Sequence, residues 1–370
     1  MIRTALIVST LLLLPGFTAQ DQSSRSGSLE TELVIEKSFN VKAGEKLAIE
    51  TADAEISVQT SSGISEATVE VYLSGRDMER ARRYFESMNF DVRQSSVGIS
   101  VTSENPPRRL RDWYERGQAR IRVQILIPEV FNIDIKTSDG DVALDDVTGI
   151  TSVRSSDGDL RLSSISGSMI LLQSSDGDII GEKLTGKEIR VNTSDGDILL
   201  DSATGESVDI RTSDGNIVVE NISGRSEAST SDGDILIGDA SGLSIALRSS
   251  DGDIAVKRLM SENADISTSD GEVYVEHSES NLNATTGDGD IVVAVIEARE
   301  FTARAGDGNI TIRVPTGVGA DLNLRGERVN IASSHDFNGT LAKRTASGSI
   351  NGGGPVFRIT SSEGTVLISN

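Results

Sequence analysis

Closely spaced pairs of carboxylates recur along most of the chain, and their type and spacing are suited to binding a cation. They flank the glycine of a Ser-Asp-Gly tripeptide, or a close relative, whose ten copies have Gly140, Gly158, Gly177, Gly196, Gly215, Gly233, Gly252, Gly271, Gly289 and Gly308. The residue before the glycine is aspartate in all ten copies, and the residue after it is acidic in eight, with Asn216 and Asn309 as exceptions. Because Ca²⁺ prefers oxygen ligands, stacked copies could form a row of calcium sites. The candidate ligands are Asp176, Asp178, Asp195, Asp197, Asp232, Asp234, Asp251 and Asp253.

The same acidic residues also have a structural interpretation, which the sequence favours. Aspartate side chains in turns accept hydrogen bonds from backbone N–H groups, and glycine permits a positive φ. The spacing matches neither an EF-hand loop nor the glycine- and aspartate-rich nonapeptide repeat of calcium-binding β-helices. We therefore predict no cofactor and no dedicated metal site, with Ca²⁺ binding as the alternative.

Few residues are suited to catalysis. The two histidines, His277 and His335, are far apart in sequence and have no partner motif. The carboxylates form a repeated column, so no single acid–base pair stands out, and the serines lie in turns without a nucleophile elbow. The chain has no cysteine, which excludes disulfides, thiolate catalysis and cysteine-ligated zinc. We expect no catalytic residue and no enzyme activity.

The charge balance excludes one class of partner. Fifty-seven acidic and 35 basic residues give a net charge of −22 and a pI near 4.5. Nucleic-acid binding needs lysine and arginine clustered on one face to contact phosphates. The sequence therefore predicts no nucleic-acid partner.

The glycine spacing and the hydrophobic pattern define the elements that position these carboxylates. Successive glycines are 18 or 19 residues apart, and apolar residues alternate on both sides of each glycine. Around Gly196 they are Ile189 and Val191 before it, and Ile198 and Leu200 after it. A small residue, Ser or Thr, lies three before the glycine, and a further apolar residue lies seven after it, as in Leu184, Ile222, Leu259 and Ile296.

This pattern predicts an all-β fold, a β-solenoid (single-stranded β-helix) of ~19-residue coils with an N-terminal α/β capping segment. Each unit has two short strands, an Asp-Gly turn and a second turn, and only stacking can bury its apolar face. A sandwich of separate hairpins would have irregular spacing. We expect an early copy of the turn at Ala52–Glu55 and late copies at Gly348 and Gly364.

Four regions follow along the chain. Residues 1–19 are predicted to be a signal peptide, because Arg3 is followed by an apolar run from Ala5 to Leu14 that is too short to span a bilayer; an uncleaved anchor is the alternative. Residues 20–130 are predicted to contain strands and the α/β capping insertion, with a helix from about Asp77 to Met88. Residues 131–330 form the regular solenoid, and residues 331–370 form degenerate closing coils.

Two outward-facing columns could contact other molecules. The residue four before the glycine is often basic, which suits ion pairs with acidic neighbours or an anionic glycan. These basic residues are Lys136, Arg154, Arg211, Arg248 and Arg304. The residue three after the glycine should face solvent, yet it is apolar in four successive coils. This apolar stripe, comprising Ile180, Leu199, Val218 and Leu236, is predicted to be an interaction surface, with strand-forming sequence as the alternative.

Several motifs together resemble a known family. They are the α/β insertion, the Ile127–Pro128 strand end, the Thr193–Ile198 type of repeat unit and the terminal Ser362–Val366 strand. In these features the chain is similar to the proposed adhesin family of exported bacterial β-solenoids, a domain-of-unknown-function family. The resemblance implies a β-helix fold and a location in the envelope. It provides no catalytic residues to transfer.

The sequence thus predicts a non-catalytic exported envelope or surface protein, an adhesin-like scaffold that presents a repetitive acidic surface. The periplasm, the outer cell envelope and the medium are all compatible locations. The expected partner is an unknown envelope protein or glycan, with weak homo-association of the chain, and no transmembrane segment is expected in the mature chain. The alternatives are a protein-interaction module in envelope signalling and a carbohydrate-active β-helix enzyme.

Overall fold

The repeat folds into stacked coils, which confirms the predicted β-solenoid. The computed structural model describes residues 29–107, 109, 114 and 118–370. The predicted signal peptide lies outside the described residues. Within the described ranges, no helix combines the length and the apolarity needed to cross a membrane.

The most regular coils pair in parallel and in register. Ile217, for example, pairs with Ile198 of the preceding coil and with Ile235 of the next one. The strands of this region are β12 (Leu160–Gln173), β13 (Ile179–Asn192), β14 (Ile198–Arg211), β15 (Ile217–Ser229), β16 (Ile235–Arg248) and β17 (Ile254–Ser267). Two short strands per unit were predicted, but here they merge into one strand that passes through the second turn, as β13 does at Gly186.

The inward ladders follow the predicted alternation. Ile189, Val191, Ile198 and Leu200 are all buried, as are their counterparts in the neighbouring coils. One inward assignment was wrong. Ile296 is 40% exposed and the buried residue of that coil is Val295, because the strand β20 (Ile291–Val295) ends there.

The repeat glycines are required because the backbones of successive turns approach closely, and not because they need a positive φ. None of the ten has a φ in the positive region, so the expectation of a positive φ was wrong. A Cβ atom added at Gly196 would lie 2.2 Å from the carbonyl oxygen of Gly177. Because contacts of this length are forbidden, only glycine lets successive turns stack.

The N-terminal region builds the first coils and then caps them. Its strands are β1 (Glu30–Asn40), β2 (Lys46–Glu50), β3 (Ala54–Ser61), β4 (Glu66–Gly75), β5 (Asp91–Ser95), β6 (Gly98–Thr102), β7 (Ala119–Pro128), β8 (Asn132–Lys136), β9 (Val142–Leu144), β10 (Val147–Thr148) and β11 (Thr151–Arg154). Strands β2 and β3 form the first coil, on which β8 and β9 stack. On the opposite side β6 pairs with β2 and β7 with β3, so the insertion between them extends both strand ladders.

The predicted helix is present as α1 (Met78–Ser87), with Asp77 as its N-cap. The Asp77 side chain accepts a hydrogen bond from the backbone N–H of Arg80, which satisfies one free donor of the first turn. Ala81, Tyr84 and the following Met88 are buried, so this face of the helix covers the end of the apolar core.

The C-terminal region reverses the order of the last coils. Its strands are β18 (Val273–Ser278), β19 (Asn281–Thr286), β20, β21 (Phe301–Ala305), β22 (Ile310–Arg313), β23 (Ala320–Arg325), β24 (Arg328–Ile331), β25 (Phe337–Leu341), β26 (Thr345–Ile350), β27 (Val356–Ser361) and β28 (Thr365–Ser369). Strand β27 lies between β21 and β23, and β28 lies between β22 and β24. The final coil is therefore inserted beneath one that precedes it in sequence.

The expected irregular copies of the turn have different outcomes. The Ala52–Glu55 copy is confirmed, because a Cβ on Gly140 would meet the carbonyl oxygen of Ala54. Gly364 is also a turn residue, since its added Cβ would lie 2.0 Å from the carbonyl oxygen of Gly308. Gly348 was wrongly assigned: it lies in β26, which pairs antiparallel with β23 and β25.

Candidate functional site

A column of hydroxyl groups ties each turn to its neighbour. The Thr212 hydroxyl lies 3.1 Å from the carbonyl oxygen of Gly196 in the preceding coil and donates to it. The same hydroxyl oxygen accepts from the backbone N–H of Gly215 at 3.3 Å. Thr212 is almost fully buried, so these bonds satisfy backbone groups that water cannot reach. The small residue three before the glycine is therefore structural.

The acidic residue after each glycine forms a second ladder. The Asp178 carboxylate accepts the backbone N–H of Asp197 at 2.8 Å, and the Asp197 carboxylate accepts that of Asn216 at 2.7 Å. Asn216 continues the ladder, because its amide oxygen accepts the N–H of Asp234 at 2.9 Å. The position thus requires an acceptor and not a charge, which explains the asparagine exceptions.

Stacking these carboxylates has an electrostatic consequence at Glu272. Partial burial raises the pKa of this side chain, and the neighbouring carboxylates of Asp253 and Asp290 raise it further. The repulsion is offset by the backbone hydrogen bonds along the same ladder, as at Glu272, whose N–H donates to Asp253 at 2.7 Å.

The aspartate before each glycine behaves differently. Asp176, Asp195, Asp232 and Asp251 are exposed, and within the part of the chain that the structure describes their side chains form no hydrogen bond or ion pair. The structural interpretation was therefore wrong for these four residues, because their carboxylates accept no hydrogen bond from the turn amides.

The positions of these carboxylates also bear on the prediction that they could bind Ca²⁺. No three carboxylates or histidines among the described residues converge on one point. Asp178, Asp197, Asp234 and Asp253 already accept backbone N–H groups, while the other four candidates lie apart on the surface. This donor set does not fit a Ca²⁺ ion, which takes six to eight oxygen ligands.

The basic column lies in ion pairs and polar contacts. Arg248 contacts Glu227 at 3.1 Å and Asp265 at 3.2 Å, and Arg211 contacts Asp209 at 2.6 Å. Arg154 donates to Gln173 at 2.9 Å. The contacts of Arg248 and Arg154 bridge successive coils, whereas Arg211 and Asp209 lie on the same strand; all are on an exposed face, where each contributes little.

The apolar stripe is a continuous exposed column. Strand register places Ile180, Leu199, Val218 and Leu236 side by side in four successive coils. Leu199 is 40% exposed, Val218 39% and Leu236 37%. In the next three coils the same column holds Ala255, Tyr274 and Val292. Arg161 and Thr311 end it.

Acidic columns border this stripe on both sides. On one side lie the carboxylates of the hydrogen-bonded ladder, such as Asp178 and Asp197. On the other side, two residues beyond the stripe along each strand, lie the exposed Glu182, Asp201 and Glu220, and the column continues with Gly238, Lys257 and Glu276. Around Ile180, Leu199 and Val218 the surface therefore combines an apolar centre with a negatively charged rim.

The two histidines lie in different surroundings. His335 is buried, and its Nε2 lies 3.1 Å from the carbonyl oxygen of Ser369. Its Nδ1 lies 3.3 Å from the Asn351 side-chain nitrogen, so the ring ties the closing coils together. His277 lies exposed on β18, in the regular part of the solenoid.

A buried cluster that sequence reasoning missed joins the cap to the first coil. Asp53 occupies the position of the repeat aspartates, but it is buried and its carboxylate accepts a hydrogen bond from the Tyr84 hydroxyl. The Tyr114 hydroxyl donates to the Asp53 carbonyl oxygen at 2.6 Å and accepts the N–H of Ile121 at 3.2 Å. The two tyrosine rings stack with centroids 4.5 Å apart.

Burial controls the ionisation of this cluster. Desolvation and then the hydrogen bond to Asp53 raise the pKa of Tyr84, and desolvation raises the pKa of Tyr114. Both hydroxyls therefore remain protonated and act as donors. One feature of the sequence could have indicated this cluster: Tyr84 lies three residues after Ala81 and therefore on the apolar face of the predicted helix.

The stacked coils, whose turns are joined by hydrogen bonds, define a β-solenoid. A comparison with family models agrees with the family resemblance of the sequence motifs. The sequence model of the Toastrack DUF4097 family matches residues 44–237 and 223–369, so the chain belongs to this family. No curated protein matches the chain.

Several solved structures are similar to this chain over most of its length at low sequence identity. A proposed adhesin from Parabacteroides distasonis is 11% identical, with 92% of this chain and 98% of that chain covered and a TM-score of 0.32. A proposed lipid binding protein from the same species is 10% identical, with 93% and 98% covered and a TM-score of 0.32. A proposed adhesin from Parabacteroides merdae is 13% identical, with 93% and 97% covered and a TM-score of 0.26. Similarity at this level assigns no activity to this chain.

Proposed function

We propose that this protein is a non-catalytic, adhesin-like scaffold of the cell envelope or cell surface that binds a protein partner through its apolar stripe. One observation carries this proposal: seven apolar residues from Ile180 to Val292 occupy one outward column, although outward positions on a solvated strand are usually polar. Exposed large apolar residues also occur at Met169, Leu243 and Met260, but they do not continue over seven successive coils as the stripe does, so the stripe is the surface best suited to contact.

The rim indicates the chemistry of the partner. An apolar ridge bordered by lysine or arginine would match the stripe and the acidic columns that contain Asp197 and Asp201. The stripe is narrow, so its burial would contribute a few kcal/mol at about 25 cal/mol per Å². We therefore propose a reversible contact, whose association rate and affinity fall as salt rises.

Self-association would respond to salt in the opposite direction. Two copies that met stripe to stripe would bring like-charged rims together, and screening reduces that repulsion. Weak homo-association should therefore strengthen with salt in sedimentation velocity measurements, whereas binding to a basic partner should weaken.

The location is part of the same proposal. The predicted signal peptide supports export, and the acidic solenoid would remain soluble in the periplasm or outside the cell. We propose no cofactor for this function.

Site-specific photo-crosslinking in the producing bacterium tests the contact. A photo-reactive amino acid at Leu199 should give a discrete adduct whose cross-linked segment is apolar and basic. The matched control is the same group at Arg190, which is exposed in a different outward column of the solenoid. Val218→Lys should abolish the adduct from position 199. Equal adducts from both positions, or none from position 199, would contradict the proposal.

A further inference from the structure

The arginines of the last 70 residues differ from those of the solenoid. Residues 131–300 contain 34 acidic and 12 basic residues, whereas residues 301–370 contain five acidic and seven basic residues. Of the eight arginines in residues 131–300, six form ion pairs. None of the six arginines in residues 301–370, all of which the structure describes, forms one. A chain with a large excess of carboxylates thus leaves this group of cations unneutralised.

Three of these arginines lie on one outward face around Thr360. Arg304 and Arg325 pair with Thr360 from the strands on either side, β21 and β23. Arg358 lies two residues before Thr360 on β27, so its side chain leaves the same face of the strand. All three arginines are exposed. Strand spacing separates Arg304 from Arg325 by about 10 Å.

A cleft of about 340 Å³ extends this face toward the hairpin of β25 and β26. Arg325, Gly326, Arg344, Thr360, Ser361 and Ser362 line it. The backbone N–H of Gly326 donates to the Arg344 carbonyl oxygen at 3.0 Å, which fixes the hairpin turn beside the end of β23. The guanidinium groups of Arg325 and Arg344 form no ion pair or side-chain hydrogen bond with residues 118–370, so their donors are available.

The arrangement suits an anion with several charges. Guanidinium groups bind carboxylate, sulfate or phosphate through two parallel hydrogen bonds, and the Thr360 and Ser362 hydroxyls add further donors. A single small anion would occupy only part of the cleft and would not reach Arg304, whose one polar contact is with Asn283 at 3.4 Å. An extended polymer with repeated acidic groups would reach both.

We propose that this arginine cleft, comprising Arg304, Arg325, Arg344, Arg358, Thr360 and Ser362, binds an acidic polysaccharide through its carboxylate or sulfate groups. The proposal is independent of the apolar stripe, which lies in a different outward column of the solenoid.

Calorimetric titration at low ionic strength tests it, with a galacturonate hexamer as the probe. Maltohexaose is the neutral control and inorganic phosphate is the small-anion control. We expect saturable binding of the hexamer that weakens with salt, weaker binding of phosphate and no binding of maltohexaose. The variant Arg325→Gln/Arg344→Gln should bind the hexamer at least about tenfold more weakly, because charge-assisted hydrogen bonds are lost.

Two further variants separate this site from general charge effects. Arg211→Gln/Arg248→Gln makes the same change in net charge at ion-paired arginines and should bind within about twofold of the parent. Arg325→Lys/Arg344→Lys keeps the charge but loses the paired donors, so its affinity should lie between those of the parent and the glutamine variant. No binding by the parent, or equal losses in the two glutamine variants, would overturn the site. Phosphate binding as tight as hexamer binding would overturn its assignment to a polymer.

Discussion

Asp53 and Asp195 occupy equivalent positions in two stacked turns, yet their surroundings have little in common. Asp53 is buried beneath the cap, and its carboxylate accepts the Tyr84 hydroxyl. Asp195 is exposed, and its side chain forms no hydrogen bond or ion pair with a described residue. The comparison shows that the aspartate before the glycine is not needed to form the turn. At Asp53 the aspartate is structural because the cap covers it.

Other residues hold the turns in the rod. The hydroxyl column that contains Thr193 and Thr212 bonds to the carbonyl oxygens of the preceding coil. The ladder that contains Asp178 and Asp197 accepts the amides of the next coil. Each coil thereby satisfies the backbone groups of its neighbours, and the exposed aspartates are left to keep the rod soluble and charged.

The largest loss of stability is expected in the core, because the capped first coil and the regular coils are both held by the inward apolar ladders. Ile217→Asp places a charge between Ile198 and Ile235, and a buried unpaired charge should cost about 4 kcal/mol or more. Val218→Asp, one residue away and facing outward, is the matched control and should cost less than about 1 kcal/mol. Chemical denaturation of both variants measures the difference; equal losses would show that the register is wrong.

A smaller effect separates the capped turn from the regular one. Asp53→Ala leaves the Tyr84 hydroxyl buried without its acceptor, so stability should fall by about 2 kcal/mol. Asp195→Ala removes an exposed side chain and one repelling charge, so stability should stay within about 0.5 kcal/mol or rise. The thermal midpoints of the two variants measure this difference, and similar shifts for both would contradict the comparison.

Alkaline pH should destabilise the capped turn through Tyr84, which the regular turns lack. The folded pKa of Tyr84 is raised, so its contribution to stability is fully present below the ordinary tyrosine pKa of about 10 and is lost as pH rises toward the folded value. The cap should therefore loosen above about pH 10. Tyr84→Phe should remove part of this pH dependence, as followed by hydrogen exchange of β7. An unchanged profile would show that Tyr84 does not link the cap to pH.

The smallest of these effects concerns the carboxylate ladder. Asp197→Ala removes the acceptor for the Asn216 N–H and should cost about 1 kcal/mol, while Asp197→Asn should cost less because Asn216 itself serves in the ladder. Thermal denaturation distinguishes the two. Calorimetry with millimolar Ca²⁺ is the counter-test, since saturable binding that Asp197→Ala abolishes would assign the column to a metal.

Periodicity allowed the coil and its inward ladders to be predicted, because stacking repeats the same environment at Ile198, Ile217 and Ile235. It could not predict contacts that occur once. The burial of Asp53 depends on where α1 and Tyr114 return to the first coil, and the arginine cleft depends on β27 inserting between β21 and β23. Both arise from long-range pairing, which an 18- or 19-residue repeat does not encode. The apolar column could be recognised because strand alternation places Ile180, Leu199 and Val218 outward in successive coils, whereas its role as a contact surface stays a prediction.

The central claim is that the apolar stripe is a contact surface and contributes little to holding the rod together. Leu199→Thr/Val218→Thr tests it, because threonine keeps the strand propensity of the column and removes its apolar character. We expect the free energy of unfolding in urea to stay within about 1 kcal/mol of the parent, since both side chains are more than one third exposed. A loss of about 3 kcal/mol or more would show that the column serves the fold, and would contradict the claim.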